Sequence, residues 1–346
     1  MNIQDLGGEF GLIENLTQDF SNFHSEVKKG IGDDCAVIDL GDKYQLISSD
    51  TLVANDHFNL NWSTPEQVGM KAVEVNVSDI FACGGIPKYI LVSLVLTRDL
   101  DAEIIQGIYR GIQQKCEEYK IDLIGGDTTH GNELVINVTI LGEVEKITNY
   151  ELQITNNKNS LKLRSHAKIG DLICVTGDLG GSTAGLEYLR KFNDAQKLKQ
   201  EFPYLYTRHL EPIARRDAIN RVSTVANAMI DVSDGLASEV RHICEQSNCG
   251  AEVDFSKIPL HSETKLCAEK LGKIPEDWAL SGGEDFELVF TIPEEAFRKD
   301  AINRVSTVIG KILPKDEGVW LLKNEKREEL KGGYDHFKLQ AVSYEL

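Results

Sequence analysis

The chain has 346 residues, a length that suggests about two domains. Hydrophobic residues make up 41% and charged residues 27%, so wholesale disorder is excluded. The 37 basic and 55 acidic residues give a net charge of -18, which argues against nucleic acid and anionic membrane surfaces as partners. If the protein binds phosphates, a divalent metal ion is the expected source of positive charge. No apolar run reaches the ~18 residues that span a bilayer.

The cysteines provide a second compositional signal. There are seven of them, an odd number, and they are scattered without a C-x-x-C pair. This distribution argues against a zinc site and against a disulfide framework, and it favours reduced thiols in a cytoplasmic protein.

Apolar patterning predicts alternating strands and helices in the first half of the chain. The predicted elements are a strand at 44–47, a helix at 66–83, a strand at 89–96, a helix at 101–119, and strands at 122–124 and 134–141. The strand at 44–47 is expected to end in the polar Ser48-Ser49-Asp50, and glycines 84 and 85 are expected to stop the first helix.

A weakly patterned segment at 148–160, rich in Asn, Thr and Lys, is the predicted linker. It divides the chain into an N-terminal domain at 1–147 and a C-terminal domain at 148–346. The elements predicted in the second half are a strand at 171–176, a helix at 180–191, a strand at 228–232, a helix at 235–245, and strands at 250–255 and 286–291. Mixed strands and helices in both halves indicate an α/β or α+β protein of two domains.

One nonapeptide, DAINRVSTV, occurs twice, at 217–225 and at 300–308. Identity of that length by chance is very improbable, but the flanking residues differ. The segment is too short to be an architectural repeat, and no function is assigned to it.

Six short motifs place carboxylates beside glycine or small polar residues at the ends of apolar segments. They lie at 30–34, 48–50, 76–79, 125–127, 231–235 and 282–285. Any one of them, taken alone, is most often a turn or a helix cap. If several converge, two charges ~4 Å apart repel by about 4 kcal/mol at an effective dielectric constant of ~20, so cations are required between them. Carboxylate and hydroxyl oxygens are the ligands of Mg²⁺, which also bridges to phosphates.

Phosphate binding has a second candidate in the glycine-rich helix start at 180–183, where backbone amides could bind an anion. The P-loop pattern G-x-x-x-x-G-K-[ST] is absent from the sequence. The V-A-I-K, H-R-D and D-F-G set of protein kinases is absent too.

Taken together, these motifs resemble those of a known family. They are GEFGLI at 8–13, GIGDDCA at 30–36, SDTLV at 49–53, HF at 57–58, VNVSD at 75–79, IGGDTT at 124–129, IDVSDGL at 230–236, LSGGEDFE at 280–287 and GYDHF at 333–337. In this order they resemble the bacterial thiamine-monophosphate kinases, within the superfamily of aminoimidazole ribonucleotide synthetase and selenophosphate synthetase. The resemblance runs from about residue 8 to residue 337.

The resemblance implies transfer of the ATP γ-phosphoryl group to thiamine monophosphate, giving thiamine diphosphate, with ATP as co-substrate and several Mg²⁺ ions. It implies an N-terminal α/β domain that contributes strands to an intersubunit barrel, and a C-terminal α+β domain. The protein is accordingly expected to be a homodimer.

The resemblance also implies site residues, carried over by motif. The magnesium ligands would be Asp34, Ser48, Ser49, Asp50, Asp79, Asp127, Asp231 and Asp234. The ATP-binding residues would be Gly126, Asp127, Arg164, Ser233 and Tyr109. The residues facing thiamine monophosphate would be His57, Glu284 and Tyr334.

The expected mechanism is direct in-line transfer assisted by Mg²⁺, with no residue acting as general base. Two alternatives stay open. The first is another ATP-using enzyme of the superfamily that acts on an amide or on selenide, although residues 1–30 lack the cysteine expected for selenide chemistry. The second is a non-catalytic protein that binds Mg²⁺ or nucleotide.

Overall fold

The computed structural model describes residues 2–146, 160–299 and 302–337. Its first β-sheet has six strands, in the order β1-β2-β3-β6-β4-β5. Their bounds are β1 Val27–Lys29, β2 Ala36–Asp39, β3 Lys43–Val53, β4 Ile86–Leu96, β5 Asp122–His130 and β6 Val135–Glu145. Neighbouring strands are antiparallel except β4 and β5, which are parallel.

The second sheet has seven strands, in the order β13-β12-β9-β11-β7-β10-β8. Their bounds are β7 Leu172–Thr176, β8 Met229–Asp231, β9 Gly250–Asp254, β10 Leu288–Ile292, β11 Ser306–Leu313, β12 Val319–Lys323 and β13 Lys326–Glu329. The two sheets, with the undescribed segment 147–159 between them, fit the expected two-domain α/β and α+β architecture. The predicted linker at 148–160 falls outside the described residues apart from Ser160, so the boundary at 147/148 stays a prediction.

Helices accompany both sheets. Those described are α1 Glu9–Thr17, α2 Pro65–Ala82, α3 Ala102–Tyr119, α4 Gly181–Phe192, α5 Ala195–Glu201, α6 Pro203–Leu210, α7 Arg216–Val225, α8 Leu236–Ser247, α9 Ser262–Leu271, α10 Pro275–Ser281 and α11 Glu294–Lys299. None of them is both long and apolar enough to cross a membrane. The sequence predicted α2, α3, α4 and α8 closely, whereas the short helices between α4 and α8 were missed.

Two strand predictions in the first sheet were wrong in their ends. β3 does not stop at Ile47 but continues through Ser48, Ser49 and Asp50 to Val53, and β5 continues past Ile124 to His130. The polar residues are tolerated within the strands because Ser49 is exposed, Ser48 and Asp50 are only partly buried, and every residue of β5 is exposed. In β6, every second residue is buried.

Helix α2 lies at the centre of the molecule. It begins with a capping box, in which Thr64 Oγ1 accepts from the Gln67 amide, and Pro65 occupies its first turn. Fourteen of its eighteen residues are buried, including polar ones, because α2 packs on the first sheet and also contacts β8 and α7 of the second half. The helix ends before Gly84, whose φ of +77° suits glycine and whose Cβ would lie 2.2 Å from the Ser160 carbonyl oxygen.

Strands β7, β8 and β10 of the second sheet are buried on both faces. In β7, Cys174 belongs to the apolar core that includes α2, whereas Ile173 and Val175 belong to a separate core on the opposite face. The same alternation in β8 turns Met229 toward the α2 side and Ile230 away from it. Asp231, two residues after Met229, therefore points toward α2.

Candidate active site

A cleft of about 740 Å³ opens between the two halves of the chain. The predicted site residues that line it are Asp50, His57, Asp79, Asp231, Ser233, Asp234, Glu284 and Tyr334. They come from strands of both sheets, from helix α2 and from loops, so the cleft collects residues that are far apart in sequence.

Three carboxylates converge beside the cleft. Asp34, from the loop before β2, Asp79, from the last turn of α2, and Asp231, at the end of β8, each place an oxygen within 4.8 Å of the other two. Ser48 Oγ donates a hydrogen bond of 2.5 Å to Asp79 Oδ2, and Ser78 Oγ donates one of 2.5 Å to Asp231 Oδ2. The expected convergence of acidic motifs is thus present for these three residues.

The cluster is electrostatically costly without a cation. Burial, together with Asp50, Asp231 and Asp34, raises the pKa of Asp79 well above its ordinary value. Burial, and then Asp34, raises the pKa of Asp231 to about 8. Asp34 Oδ2 is buried and has no hydrogen-bond partner among the described residues. The three carboxylates offer hard oxygen donors, repel one another, and include a buried oxygen without a hydrogen-bond partner. These are the features of a Mg²⁺ site, so the residues fit the metal.

Two further predicted metal ligands lie at the edge of this cluster. Asp50 shares the inner face of β3 with Ser48, and its amide donates a 3.2 Å hydrogen bond to Asn76 Oδ1 of α2. Burial raises the pKa of Asp50 to about 6, with a further contribution from Asp34. Burial likewise raises the pKa of Asp234 to about 6, with a contribution from Glu9. Both carboxylates line the cleft, where metal or phosphate groups could reach them.

Ser49 occupies the opposite face of the strand that carries Ser48 and Asp50. It is exposed, and its Oγ lies 3.0 Å from Thr139 Oγ1 on the neighbouring strand β6. The two-residue period of a strand turns adjacent side chains to opposite faces, so Ser48 and Ser49 cannot both face Asp79. Ser49 as a magnesium ligand stays a prediction that this arrangement does not support.

Asp127 and Gly126 lie on β5, the exposed edge strand of the first sheet. Across the sheet, Thr51 of β3 is opposite Asn137 of β6, which is opposite Ser93 of β4. Ser93 is in turn opposite Asp127 of β5, so Asp127 lies three strands away from β3. At about 4.8 Å per strand, that is roughly 14 Å from the row of Thr51. Gly126 cannot be replaced without movement, since a Cβ would lie 1.8 Å from the Val92 carbonyl oxygen.

Two further ATP-binding candidates are Tyr109, in the first half of the chain, and Arg164, near the start of the second half. Tyr109 on α3 is partly buried and packs against the apolar core. Arg164 donates a 2.5 Å hydrogen bond from Nη2 to Asp34 Oδ1, and its amide donates to Asp33 Oδ2 at 3.3 Å. The guanidinium of Arg164 therefore reaches the acidic cluster.

At the other end of the cleft, the three residues expected to face thiamine monophosphate lie near one another. The His57 and Tyr334 rings both contact His336, with ring centroids 5.1 Å and 4.9 Å apart. His57 Nδ1 accepts from the Val53 amide, which leaves Nε2 as the nitrogen that carries the proton. His336 belongs to the GYDHF motif but was not predicted as a site residue, although its position two residues after Tyr334 was an available signal.

Glu284 is held from two sides by residues that the sequence did not single out. Its Oε1 lies 2.6 Å from Lys71 Nζ, and its Oε2 lies 3.6 Å from His209 Nδ1. No local pattern distinguishes Lys71 or His209, because they reach Glu284 only through the packing of α2 and α6.

The predicted phosphate site at the start of α4 is wrong. The Asp285 carboxylate accepts from the Gly180 amide at 2.6 Å and from the Ser182 amide at 3.2 Å. The same carboxylate faces Arg208 of α6 at 3.9 Å. A buried aspartate therefore already occupies the amides that would bind an anion.

Comparison with known proteins first defines the class. The sequence profile of the AIR synthase related protein, N-terminal domain, matches residues 32–144, and that of the AIR synthase related protein, C-terminal domain, matches residues 168–322. The chain therefore has the two-domain AIR synthase related fold. The hydrogenase maturation protein HypE shares this fold at a TM-score of 0.65 and 17% identity.

Closer relatives define the family. The chain is 36% identical to the thiamine-monophosphate kinase of Aquifex aeolicus, across 97% of this chain and 100% of the relative. It is 38% identical to that of Bacillus subtilis, across 95% and 99%. A solved structure described as AaThiL complexed with AMPPCP and TMP superposes with a TM-score of 0.84 at 36% identity, covering 97% of this chain and 99% of that one. The chain belongs to the thiamine-monophosphate kinase family.

Proposed function

We propose that the protein transfers the γ-phosphoryl group of ATP to thiamine monophosphate, giving thiamine diphosphate and ADP. The observation that carries this proposal is the carboxylate cluster of Asp34, Asp79 and Asp231 beside a cleft that also holds His57, Glu284 and Tyr334. Family membership supports it, as does the relative whose solved structure contains AMPPCP and TMP. The superfamily activities on an amide or on selenide gain no support from these comparisons.

Asp34, Asp79 and Asp231 would hold Mg²⁺, with Asp50, Asp234 and Ser48 adding oxygens at the edge of the cluster. Bound there, the metal would supply the positive charge that offsets the negative charge of the phosphate groups during transfer. Ser48 and Ser78 keep the carboxylates of Asp79 and Asp231 oriented through their 2.5 Å hydrogen bonds. Arg164 fixes Asp34 in the same way.

The transfer would proceed by in-line attack. A phosphate oxygen of thiamine monophosphate forms a bond to the γ-phosphorus, and the bond to the β,γ-bridging oxygen breaks, releasing ADP. A phosphate monoester has its second pKa near 6 and is mostly ionised at neutral pH, so no side chain needs to remove a proton. The chain's own contribution is to bind and align the two substrates and exclude water from the cleft.

His57, Glu284 and Tyr334 would contact the thiamine part of the acceptor. His57 and Tyr334 offer aromatic faces, and Glu284 offers a carboxylate acceptor. Ser233 would contact the nucleotide within the cleft. Gly126, Asp127 and Tyr109 remain predicted nucleotide contacts, and the exposed position of β5 requires that the nucleotide extend to the edge of the sheet.

We further propose that the active form is a homodimer built through the first sheet. The described part of this sheet is open, with β1 and β5 at its edges, and it forms no closed barrel by itself. Every residue of β5 is exposed, and apolar side chains on β4 and β5 face solvent, among them Ile86, Tyr89, Leu123 and Ile124. Pairing with a second copy would cover these groups and complete the expected barrel.

The seven free, buried cysteines suit a reducing compartment such as the cytoplasm.

The direct test is ADP release from ATP and Mg²⁺, measured with and without thiamine monophosphate. The proposal expects ADP release that depends on the acceptor, with thiamine diphosphate as the co-product. Folded protein that binds ATP but shows no stimulation by thiamine monophosphate would contradict it and favour a non-catalytic binding role.

The metal assignment has its own test in Asp50→Asn and in Asp127→Asn, because Asp127 remains a predicted magnesium ligand as well as a predicted nucleotide contact. Each should lower turnover by about 100-fold or more, because each removes a carboxylate that would hold the Mg²⁺ needed to offset the charge of the transferring phosphoryl group. Asp42→Asn, in the exposed turn before β3, is the matched control and should keep normal turnover. Near-normal turnover of a folded Asp50→Asn or Asp127→Asn variant at limiting Mg²⁺ would remove that residue from the proposed ligands.

A further inference from the structure

The side chain of Lys71 crosses from the first half of the chain to the second at the acceptor end of the cleft. It is carried by α2 and is only 4% exposed. Its Nζ donates a 2.8 Å hydrogen bond to the His57 carbonyl oxygen and lies 2.6 Å from Glu284 Oε1. One ammonium group therefore contacts two of the three residues proposed to face thiamine monophosphate.

Glu284 is constrained in its backbone as well as in its side chain. Its φ is +64°, a left-handed conformation that a residue with a Cβ adopts only at a cost. Its amide donates a 2.8 Å hydrogen bond to the Ser233 carbonyl oxygen. Its side chain is 27% exposed, so the carboxylate reaches the cleft while one oxygen stays bound to Lys71.

His209 completes the surroundings of Glu284. It is buried, and its Nδ1 lies 3.2 Å from Ser182 Oγ and 3.6 Å from Glu284 Oε2. Burial, and then the positive charge of Lys71, lowers the pKa of His209 to about 3, so the imidazole is neutral. Lys71 is thus the cation that balances Glu284 from the protein side.

We infer that Lys71 is a positioning residue for the acceptor, fixing the Glu284 carboxylate and the His57 loop relative to each other across the two domains. This inference rests on the proposed function. Without Lys71, the Glu284 carboxylate would lose its ion pair, and the His57 loop would lose a partly buried hydrogen bond. Acceptor binding should then weaken, while the nucleotide end of the cleft, built from other residues, keeps its arrangement.

A matched buried pair in the same domain separates this role from packing alone. Lys115 on α3 is 8% exposed, and its Nζ lies 2.7 Å from Glu74 Oε1 of α2. Glu74 also accepts from Tyr119 and from the Ala214 amide, and neither it nor Lys115 lines the cleft. Lys115→Met removes a comparable buried cation without touching the acceptor end.

The experiment compares the initial rates of the wild type with those of five variants. They are Lys71→Met, Lys71→Arg, Lys115→Met, Glu284→Gln and the double variant Lys71→Met/Glu284→Gln. Each substrate is varied in turn at saturating Mg²⁺, and each Tm is measured. Lys71→Met should raise the KM for thiamine monophosphate by about tenfold or more and leave the KM for ATP within about twofold. Lys71→Arg should recover part of that loss.

The double variant shows whether Lys71 acts through Glu284. In the Glu284→Gln background, Lys71→Met should raise the KM for thiamine monophosphate by less than about twofold, because the partner is already altered. Additive effects of the two substitutions on this KM would overturn the inference. Equal changes in the KM values for ATP and thiamine monophosphate in Lys71→Met would also overturn it, as would a Lys115→Met variant that behaves like Lys71→Met. If Lys71→Met does not fold, Lys71→Gln carries the same comparison. A wild type without acceptor-dependent ADP release would instead contradict the proposed function itself.

Discussion

The three clustered carboxylates repel one another in the metal-free protein, and the pKa of Asp231 is one expression of that repulsion. Burial, with Asp34, raises its pKa to about 8 in the folded state, whereas an aspartate in an unfolded chain titrates near 4. The folded state therefore holds a proton that the unfolded state releases between those two pH values. The free energy of unfolding of metal-free protein should fall as pH rises through this window.

The corresponding measurement is the Tm in excess chelator at pH 6 and at pH 8. We expect the wild type to lose about 3 °C or more between the two, and Asp231→Asn to lose clearly less, because an amide does not ionise. Added Mg²⁺ should raise the Tm of the wild type at pH 8 and have little effect on the variant. An identical pH dependence of the Tm in the two proteins would show that the ionisation of Asp231 does not destabilise the metal-free protein.

Single residues also show where sequence prediction succeeds and where it fails. Asp34, Asp79 and Asp231 were predictable because each lies in a short motif of carboxylates with glycine or small polar residues that resembles a motif of the family. Asp285 lies in a similar motif, two residues after Gly283, yet its carboxylate caps α4, and only the packing of that helix reveals the difference. If the predicted strand had continued beyond Ile47, its two-residue period would have placed Ser48 and Ser49 on opposite faces.

At the scale of elements, Asp285 fixes the loop that carries Glu284 to α4 and α6. Asp285→Ala would leave the Gly180 and Ser182 amides unpaired and remove one partner of Arg208, which is buried against it. We expect a loss of about 3 kcal/mol or more in the free energy of unfolding, measured by urea denaturation. The control is Asp101→Ala, which removes the exposed cap of α3 and should cost about 1 kcal/mol. Equal losses would mean that the buried aspartate acts only as a cap.

The repeated nonapeptide shows why local sequence does not determine every element. The copy at 217–225 is helical within α7, where Ala218, Ile219 and Val222 are buried on one side. In the copy at 300–308, the described residues form a short 3-10 turn at Ile302–Arg304 and then enter β11, which pairs with β7 and β9. The described residues 302–308 thus adopt a conformation different from that of the identical residues in α7, so tertiary packing selects the conformation.

At the scale of the whole molecule, the exposed edge β5 leads to a prediction about assembly. Ile124→Lys places a charge on an edge strand where Ile124 is 55% exposed, and it should shift the proposed homodimer toward monomer in sedimentation analysis. Leu266→Lys, at an equally exposed apolar residue on α9, is the control and should leave the sedimentation unchanged. A wild type that sediments as a monomer at micromolar concentration would contradict the proposed assembly.

The two-domain architecture was predictable, whereas the way its halves are joined was not. Alternating elements and an Asn-rich segment near the middle indicated two domains. That α2 would be buried on nearly all sides could not be inferred from its pattern, because its buried Lys71, Glu74 and Asn76 resemble a solvated face in the sequence. Their partners lie on other elements, and only the folded chain brings them together.

The apolar core around α2 is shared by both halves of the chain, and this sharing affects how the enzyme unfolds on heating. Leu46 and Ile140 of the first sheet belong to the same apolar cluster as Phe290 and Ile292 of the second. Because neither half holds that cluster by itself, separating the halves would expose it on both sides, and the two domains should melt in one cooperative transition. Sliding one sheet over the other would open voids in a close-packed interior, so Asp79 and Asp231 are held at a fixed separation before any ligand arrives.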